Sequence, residues 1–197
     1  MINLLFKFYQ SLILIVPNIS NRIKYLMLDI TYGKKFVVKG SLFLKGKGQI
    51  KIGNNVTINS SHLYNPIGGQ EFTSIVVEKD ASLVIENNVG ISNSTIYCSK
   101  SILIEDYVLI GGNCKIYDTN FHSIYVRHRK NVPETDIKSS PVIIRSGVFI
   151  GAGSIILKGV EIGKNSVIGA GSVVSKNIPS NEVWGGNPVK FIKKIKN

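Results

Sequence analysis

Histidine is scarce in this chain of 197 residues, which holds three, at positions 62, 122 and 128. Two of them, His122 and His128, fall within one polar, basic stretch, YDTNFHSIYVRHRKNVPETD, residues 117–136. An imidazole accepts and returns a proton near neutral pH, which is the task of a general base. Asp118 in the same short run can orient such a ring or bind hydroxyl groups. It equally suits the turn that YDTN spells. Arg127, Arg129 and Lys130 are cations able to meet an acidic sugar or a phosphate, and His128 among them reads as a solvated loop residue. His62 lies in an irregular region and receives no role. Cys98 and Cys114 form neither a disulfide framework nor a metal-ligand pattern, which fits a reducing, cytoplasmic setting.

The stretch interrupts a strict rhythm. After it, aliphatic residues recur at every sixth position: Ile144, Ile150, Ile156, Ile162, Ile168 and Val174. Four residues beyond each come Val148, Ser154, Val160, Ser166, Ser172 and Ile178, all small or aliphatic. Before the stretch the same beat reads Ile85, Ile91, Tyr97, then Ile104, Ile110 and Ile116, with one extra residue between Tyr97 and Ile104. Ile52 and Ile58 carry a degraded copy, and Cys114 occupies an inward slot of its hexad. A fixed short period is the signature of a solenoid. Each unit is a very short strand plus a corner, its aliphatic residue inward and Gly or Asn supplying the turn. Three units make one triangular coil of eighteen residues, and coils stack into a continuous core. IGAGSI at 150–155 recurs as IGAGSV at 168–173, so these two segments are expected to lie directly on one another.

Composition bounds the rest. A hydrophobic fraction of 44% with 18% charged residues suits a folded domain rather than a disordered chain. Net charge is +12, so the surface attracts anions. Nucleic-acid binding rests on that charge alone, because aromatics are not interleaved with the basic residues. At the N-terminus, Lys7, Gln10 and Pro17 interrupt the apolar run, leaving no stretch of about 20 residues to span a bilayer and no secretory-signal pattern. Leu5, Phe8, Leu12 and Ile15 share one helical face, with Pro17 as a stop. A second helical segment after Ser20 has Ile23, Leu26, Met27 and Ile30 as its apolar side. Two helices packed on the end of a larger body are expected; the alternative is a membrane-surface anchor through residues 1–30. The expected division is a helical segment 1–35, a solenoid 36–180 with a protruding loop 117–143, and a short basic tail 181–197, read as helical.

IGAGSIILKGVEIGKNSVIGAGSVVSKNIP followed by WGGNPVKFIKKI resembles the hexapeptide-repeat acyltransferases, over roughly residues 50 to 195. The pattern is similar to the maltose and galactoside O-acetyltransferases and the O-acetyltransferases of bacterial surface polysaccharides. The resemblance implies an all-β solenoid wound as a left-handed parallel β-helix, against the usual right-handed connection rule. It implies a homotrimer with active sites between subunits, and acetyl-CoA as acyl donor without a metal. His122 lines up with the family's loop histidine, which as general base takes a proton from a sugar hydroxyl attacking the thioester. Asn113 resembles an acceptor-binding position, with Arg127 and Arg129 as further acceptor contacts. Gly151, Ala152 and Gly153 over Gly169, Ala170 and Gly171 form a strip of bare backbone on which the pantetheine arm of coenzyme A exchanges hydrogen bonds with exposed amides. Lys176 matches a position near the cofactor phosphates, and Trp184 stands where adenine can stack.

Other classes fit less well. A β-helical carbonic anhydrase needs three zinc-binding histidines on facing coils, a poor match to His62, His122 and His128. N-acetylation of a nucleotide-linked amino sugar remains an alternative to O-acetylation, since an amine of low pKa needs less help from a base. A non-catalytic binding solenoid would explain the repeat but not the histidine loop, strip and tail together.

Overall fold

The structure, a computed structural model, describes residues 16–196. Within them the hexads become strands of two to five residues, too short to pair with their sequence neighbours and long enough to pair with the coil above and below. Each coil visits three sheets in turn. Sheet A contains Thr31–Tyr32, Gln49–Ile52, Ser82–Ile85, Ser101–Ile104, Val142–Ile144 and Glu161–Ile162. Sheet B contains Val37–Gly40, Thr57–Ser60, Gly90–Ser92, Leu109–Ile110, Phe149–Ile150, Val167–Ile168, Glu182–Gly185 and Lys190–Lys194. Sheet C contains Phe43–Gly46, Ser74–Val77, Thr95–Cys98, Lys115–Tyr117, Ile155–Ile156 and Val173–Val174. The pairings are parallel throughout, except that Lys190–Lys194 lies antiparallel to Glu182–Gly185.

The inward residues form columns along the prism. On sheet B, Ile58 pairs with Ile91, then Ile110, Ile150 and Ile168 follow in register. All five are buried. Burying each such side chain contributes about 1.5–3 kcal/mol, and every one contacts only neighbouring coils, as a quasi-one-dimensional fold requires. The fourth-slot serines are buried too, and each hydroxyl finds a carbonyl: Ser154 that of Gly151 at 2.8 Å, Ser166 that of Pro179 at 2.6 Å, Ser172 that of Gly169 at 2.5 Å. IGAGSI and IGAGSV do stack, with Ile150 on Ile168 and Ile155 on Val173.

The A–B edge needs a left-handed residue in every coil. It is supplied at Lys35, Asn55, Asn88, Tyr107, Gly147, Asn165 and Asn181. Asparagine tolerates this region better than other side chains, and here it adds a second bond: Asn55 Nδ2 donates to Asn88 Oδ1 at 3.1 Å, and Asn165 Nδ2 to Asn181 Oδ1 at 3.1 Å.

Four readings from sequence are corrected. Tyr97 faces outward, and Ile96 takes the inward place beneath Ile116; the pleat alternates strictly, so the bulky ring cannot share the core with both Ile96 and Cys98. Residues 16–27 are helical, so Pro17 lies within a helix rather than ending one; Leu5, Phe8, Leu12 and Ile15 lie outside the described residues. That helix seats Asn21 and Tyr25 on the first coil, while Ile23, Leu26 and Met27 remain exposed. The reason is polar: Asn21 satisfies the backbone of the first described coil, donating to Gly40 O at 2.8 Å and accepting from Leu42 N at 3.0 Å. Finally, the basic tail is a β-strand, because the Gly185–Pro188 turn reverses it onto Trp184, whose ring meets Phe191 edge-on at 5.9 Å.

Candidate active site

Among the described residues the chain leaves the solenoid twice. Residues 61–73 protrude from the B–C edge, and residues 118–141 from the C–A edge. At the foot of the second loop the outgoing and returning segments form a short antiparallel ladder: Asn120 N donates to Lys138 O, Ser140 N to Asp118 O, and Thr119 bridges Ser139. Beyond this ladder Phe121 turns left-handed, at φ +63°, and His122 follows it.

His122 Nδ1 lies 2.8 Å from Glu134 Oε2, and Glu134 Oε1 accepts from Ser123 N at 2.7 Å. One carboxylate thus grips the ring and the backbone beside it. The bond to His122, then that to Ser123, holds the Glu134 carboxyl below the usual carboxylate range. Glu134 is therefore the acceptor of the pair and Nδ1 the donor, so that in the neutral ring Nε2 is the nitrogen with the lone pair. The His122 side chain is 72% exposed and that of Glu134 18%. Sequence reading missed Glu134; its distance of twelve residues from His122 breaks any local pattern, and only the fold of the loop joins them.

Asp118 does not orient the histidine. It is fully buried, and its carboxylate accepts from the backbone amides of Ser99, Lys100 and Ser101 at 2.6–2.7 Å. It caps the turn between Thr95–Cys98 and Ser101–Ile104, as an acceptor-only group facing three converging donors should. Its charge also acts on Cys98, whose thiol is pushed up to about 12, first by burial and then by Asp118. Arg129 Nη1 donates to Ser123 O at 2.6 Å and so braces the loop, while Arg127 stacks on Tyr125 at 5.5 Å. His128 Nδ1 meets Thr135 Oγ1 at 2.9 Å.

The cofactor-strip residues lie on the other edge of sheet C. Asn113, Gly153 and Gly171 occupy successive left-handed corners of the B–C edge. Gly153 N donates to Gly112 O, and Gly171 N to Ala152 O. Gly151 N and Gly169 N are bonded to Ile168 O and Trp184 O. These four amides serve the ladder, so they are not available to a ligand. What the edge offers is shape: at Gly171 nothing lies within 4 Å of where a Cβ would stand. Gly68 of the first loop abuts the same edge, where a methyl on Gly112 would strike its Cα at 2.7 Å. Trp184 registers with inward Ile168 and packs on the core, with Lys176 Nζ 5.1 Å above its ring. Core packing, Lys176 and Phe191 surround that ring. Among the described residues no group of three or more His, Cys, Asp or Glu is arranged to hold a metal ion.

Residues 141–176 match the family model for the bacterial transferase hexapeptide, six repeats. The chain is 47% identical to protein CapG of Staphylococcus aureus over 94 residues, 48% of this chain and 53% of that one. It is 42% identical to the galactoside O-acetyltransferase of Lactococcus lactis over 103 residues, 52% of this chain and 48% of that one. It therefore spans about half the length of the curated relatives it matches. Among solved structures it is similar to AntD, an N-acyltransferase from Bacillus cereus in complex with dTDP and 3-hydroxybutyryl-CoA. That likeness has a TM-score of 0.67 at 20% identity, over 89% of this chain and 88% of AntD. The chain is a left-handed parallel β-helix carrying the bacterial transferase hexapeptide repeat, and its resemblance is to the hexapeptide-repeat acyltransferases.

Proposed function

We propose that the chain is a coenzyme A-dependent acetyltransferase acting on a hydroxyl of a sugar or glycan in surface-polysaccharide biosynthesis, with His122 as general base and Glu134 as its positioning residue. The observation that carries this is the 2.8 Å pair between His122 Nδ1 and Glu134, which leaves Nε2 basic and exposed. Nε2 takes the proton of the acceptor hydroxyl as its oxygen attacks the thioester carbonyl. The C–S bond then breaks, and the departing thiolate receives that proton. Ionised Glu134 stabilises the imidazolium between the two steps. The local identity to a galactoside O-acetyltransferase supports the acceptor class.

The geometry also favours a homotrimer. The His122 loop and the glycine strip leave opposite edges of sheet C, and a neighbouring copy brings the loop of one chain to the strip of another. N-acylation is the second reading, favoured by the fold likeness to an N-acyltransferase.

Peripheral membrane contact belongs to the same proposal. No helix among the described residues is long and apolar enough to cross a membrane. Leu26 and Met27 are nonetheless 84% and 78% exposed on the 16–27 helix, beside Arg22, as an interfacial face requires. Co-sedimentation with anionic vesicles, lost in a Leu26→Ser, Met27→Ser double variant, checks this; equal sedimentation of both proteins rejects it.

The test of the chemistry supplies purified protein with acetyl-CoA and a panel of sugars, nucleotide sugars and glycans, beside His122→Ala. Acetyl transfer by the parent and its loss in the variant are expected. Equal turnover removes His122 from the mechanism. No transfer to any acceptor, with no binding of coenzyme A by calorimetry, supports a binding module instead.

A further inference from the structure

Beside the foot of the His122 loop, the outer face of sheet C and the returning loop strand enclose a depression of about 200 Å³. Its lining includes Glu78, Tyr97, Ser99, Thr119, Phe121 and Ser139. Glu78 Oε1 accepts from the Tyr97 hydroxyl at 2.6 Å, and Oε2 from Ser99 Oγ at 2.8 Å. Ser139 Oγ lies 3.4 Å from Ser99 Oγ. The Tyr97 phenol is pushed up to about 12, first by its bond to Glu78 and then by burial, so it stays a donor toward Glu78 and keeps lone pairs for another partner.

A second observation comes from the backbone. Phe121 is held at φ +63°, a region costly for an aromatic residue. The ring is wedged edge-on against Tyr97 and Tyr117, with centroids 4.8 and 5.0 Å apart, yet remains exposed. Strain of this kind persists where the surroundings over-determine it, and it gathers at ligand clamps. Here it directs an exposed aromatic ring into a depression of hydroxyls and a carboxylate, one residue before His122.

The chemistry of this lining is selective. On a chain of net charge +12, it presents a carboxylate and hydroxyls without a cation, so it disfavours phosphates and acidic sugars. It suits a ring with one C–H-rich face to lie on an aromatic and several hydroxyl or ammonium donors to meet acceptors. The volume admits one such unit rather than an extended ligand.

We propose that this depression is a subsite for a single neutral or amino-bearing pyranose ring, adjoining the reactive group of the acceptor. Its role in turnover rests on the acetyltransferase reading, whereas its ligand class rests on the lining alone. Two variants test it: Glu78→Gln, and Phe121→Gly, which removes the ring and relieves the backbone. Saturation-transfer NMR with methyl glycosides of neutral and amino sugars, alongside His122→Ala, reads binding without turnover. Signals on the parent and on His122→Ala, lost in both pocket variants of unchanged fold by circular dichroism, are expected. With an acetylated acceptor in hand, the pocket variants raise its KM by about tenfold or more, while KM for acetyl-CoA stays constant. If the parent transfers acetyl and the pocket variants keep its acceptor KM, the subsite is wrong and the transferase stands. If no acceptor is acetylated, glycoside signals lost in the pocket variants uphold the subsite by itself. Absence of signals with every glycoside, or signals that survive both substitutions, overturns it.

Discussion

The two edges of sheet C are built in opposite ways. At the B–C edge, above the 61–73 loop, each corner repeats the one beneath it: Asn93, Asn113, Gly153 and Gly171 share a left-handed backbone, and their amides bond from coil to coil. At the C–A edge the chain departs for more than twenty residues and is held by contacts within the excursion, chiefly Glu134 on His122 and Ser123, and Arg129 on Ser123 O. The first edge is rigid because a displaced corner would break bonds to two neighbouring coils. The second depends on single side chains. A scaffold that separates these duties can change what the loop presents without disturbing the wall, which is the usual division between a positioned loop and its support.

The largest expected effect tests that separation. Glu134→Gln replaces an acceptor of the Nδ1 proton with a group that can also donate, so the productive tautomer is no longer enforced. Acetyl transfer should fall by about 10²–10⁴-fold in kcat, with the thermal midpoint unchanged within about 2 °C. A parallel fall in the midpoint would mean that the loop is part of the cooperative fold and that the two edges are not independent.

The converse comes from the wall. Ile168→Ala opens a cavity between Ile150 and Trp184 in the sheet B column and should destabilise by about 2–5 kcal/mol in denaturant unfolding. Protein that remains folded should keep the parent's rate of acetyl transfer. A loss below about 1 kcal/mol would show that the last coil already frays.

How much of this was legible follows from the same contrast. Ile144 through Val174 announced the coil because every sixth residue answers the same constraint, set by coils above and below. Tyr97 takes the inward slot of Ile96 in the sequence pattern because one short corner and one long one in that coil shift the beat, and an aromatic at the expected position looks like a core residue. Glu134 was invisible because nothing periodic ties it to His122. Asp118 invites a chemical reading beside the turn that YDTN spells because it is close to His122 in sequence, yet its partners are three amides seventeen to nineteen residues away. Nearness in sequence is a poor guide in a coil, where the nearest neighbour in space is about eighteen residues distant.

A smaller effect lies at the A–B edge. Burial pushes the Glu105 carboxyl up, but bonds from Arg145 and Ser146 outweigh it and hold it below the usual range. A carboxyl lowered by folding stabilises fully above its unfolded pKa, and that stability is lost as pH falls through the folded value. The melting-temperature gap between the parent and Glu105→Gln should therefore be constant from about pH 6 to 8 and narrow below about pH 4. A gap that widens in acid would reverse the sign assigned to this network.

The smallest effect separates two glycines of the strip. A Cβ on Gly151 would stand 2.5 Å from Ala170 N, and this contact is backbone, so Gly151→Ala must displace a coil. Gly171 has open space, and its φ of +68° is the sole penalty for a side chain there. Gly171→Ala should cost about 1–2 kcal/mol, a few degrees in the thermal midpoint, while leaving the ladder intact. It also sets a methyl on the shelf where an extended arm of coenzyme A would lie, so KM for acetyl-CoA should rise several-fold with kcat nearly constant, the pattern of weakened ground-state binding. An unchanged KM would restrict the strip to a structural role and move the cofactor elsewhere on the B–C edge. The contrast would then lie between a chemical edge and a purely mechanical one.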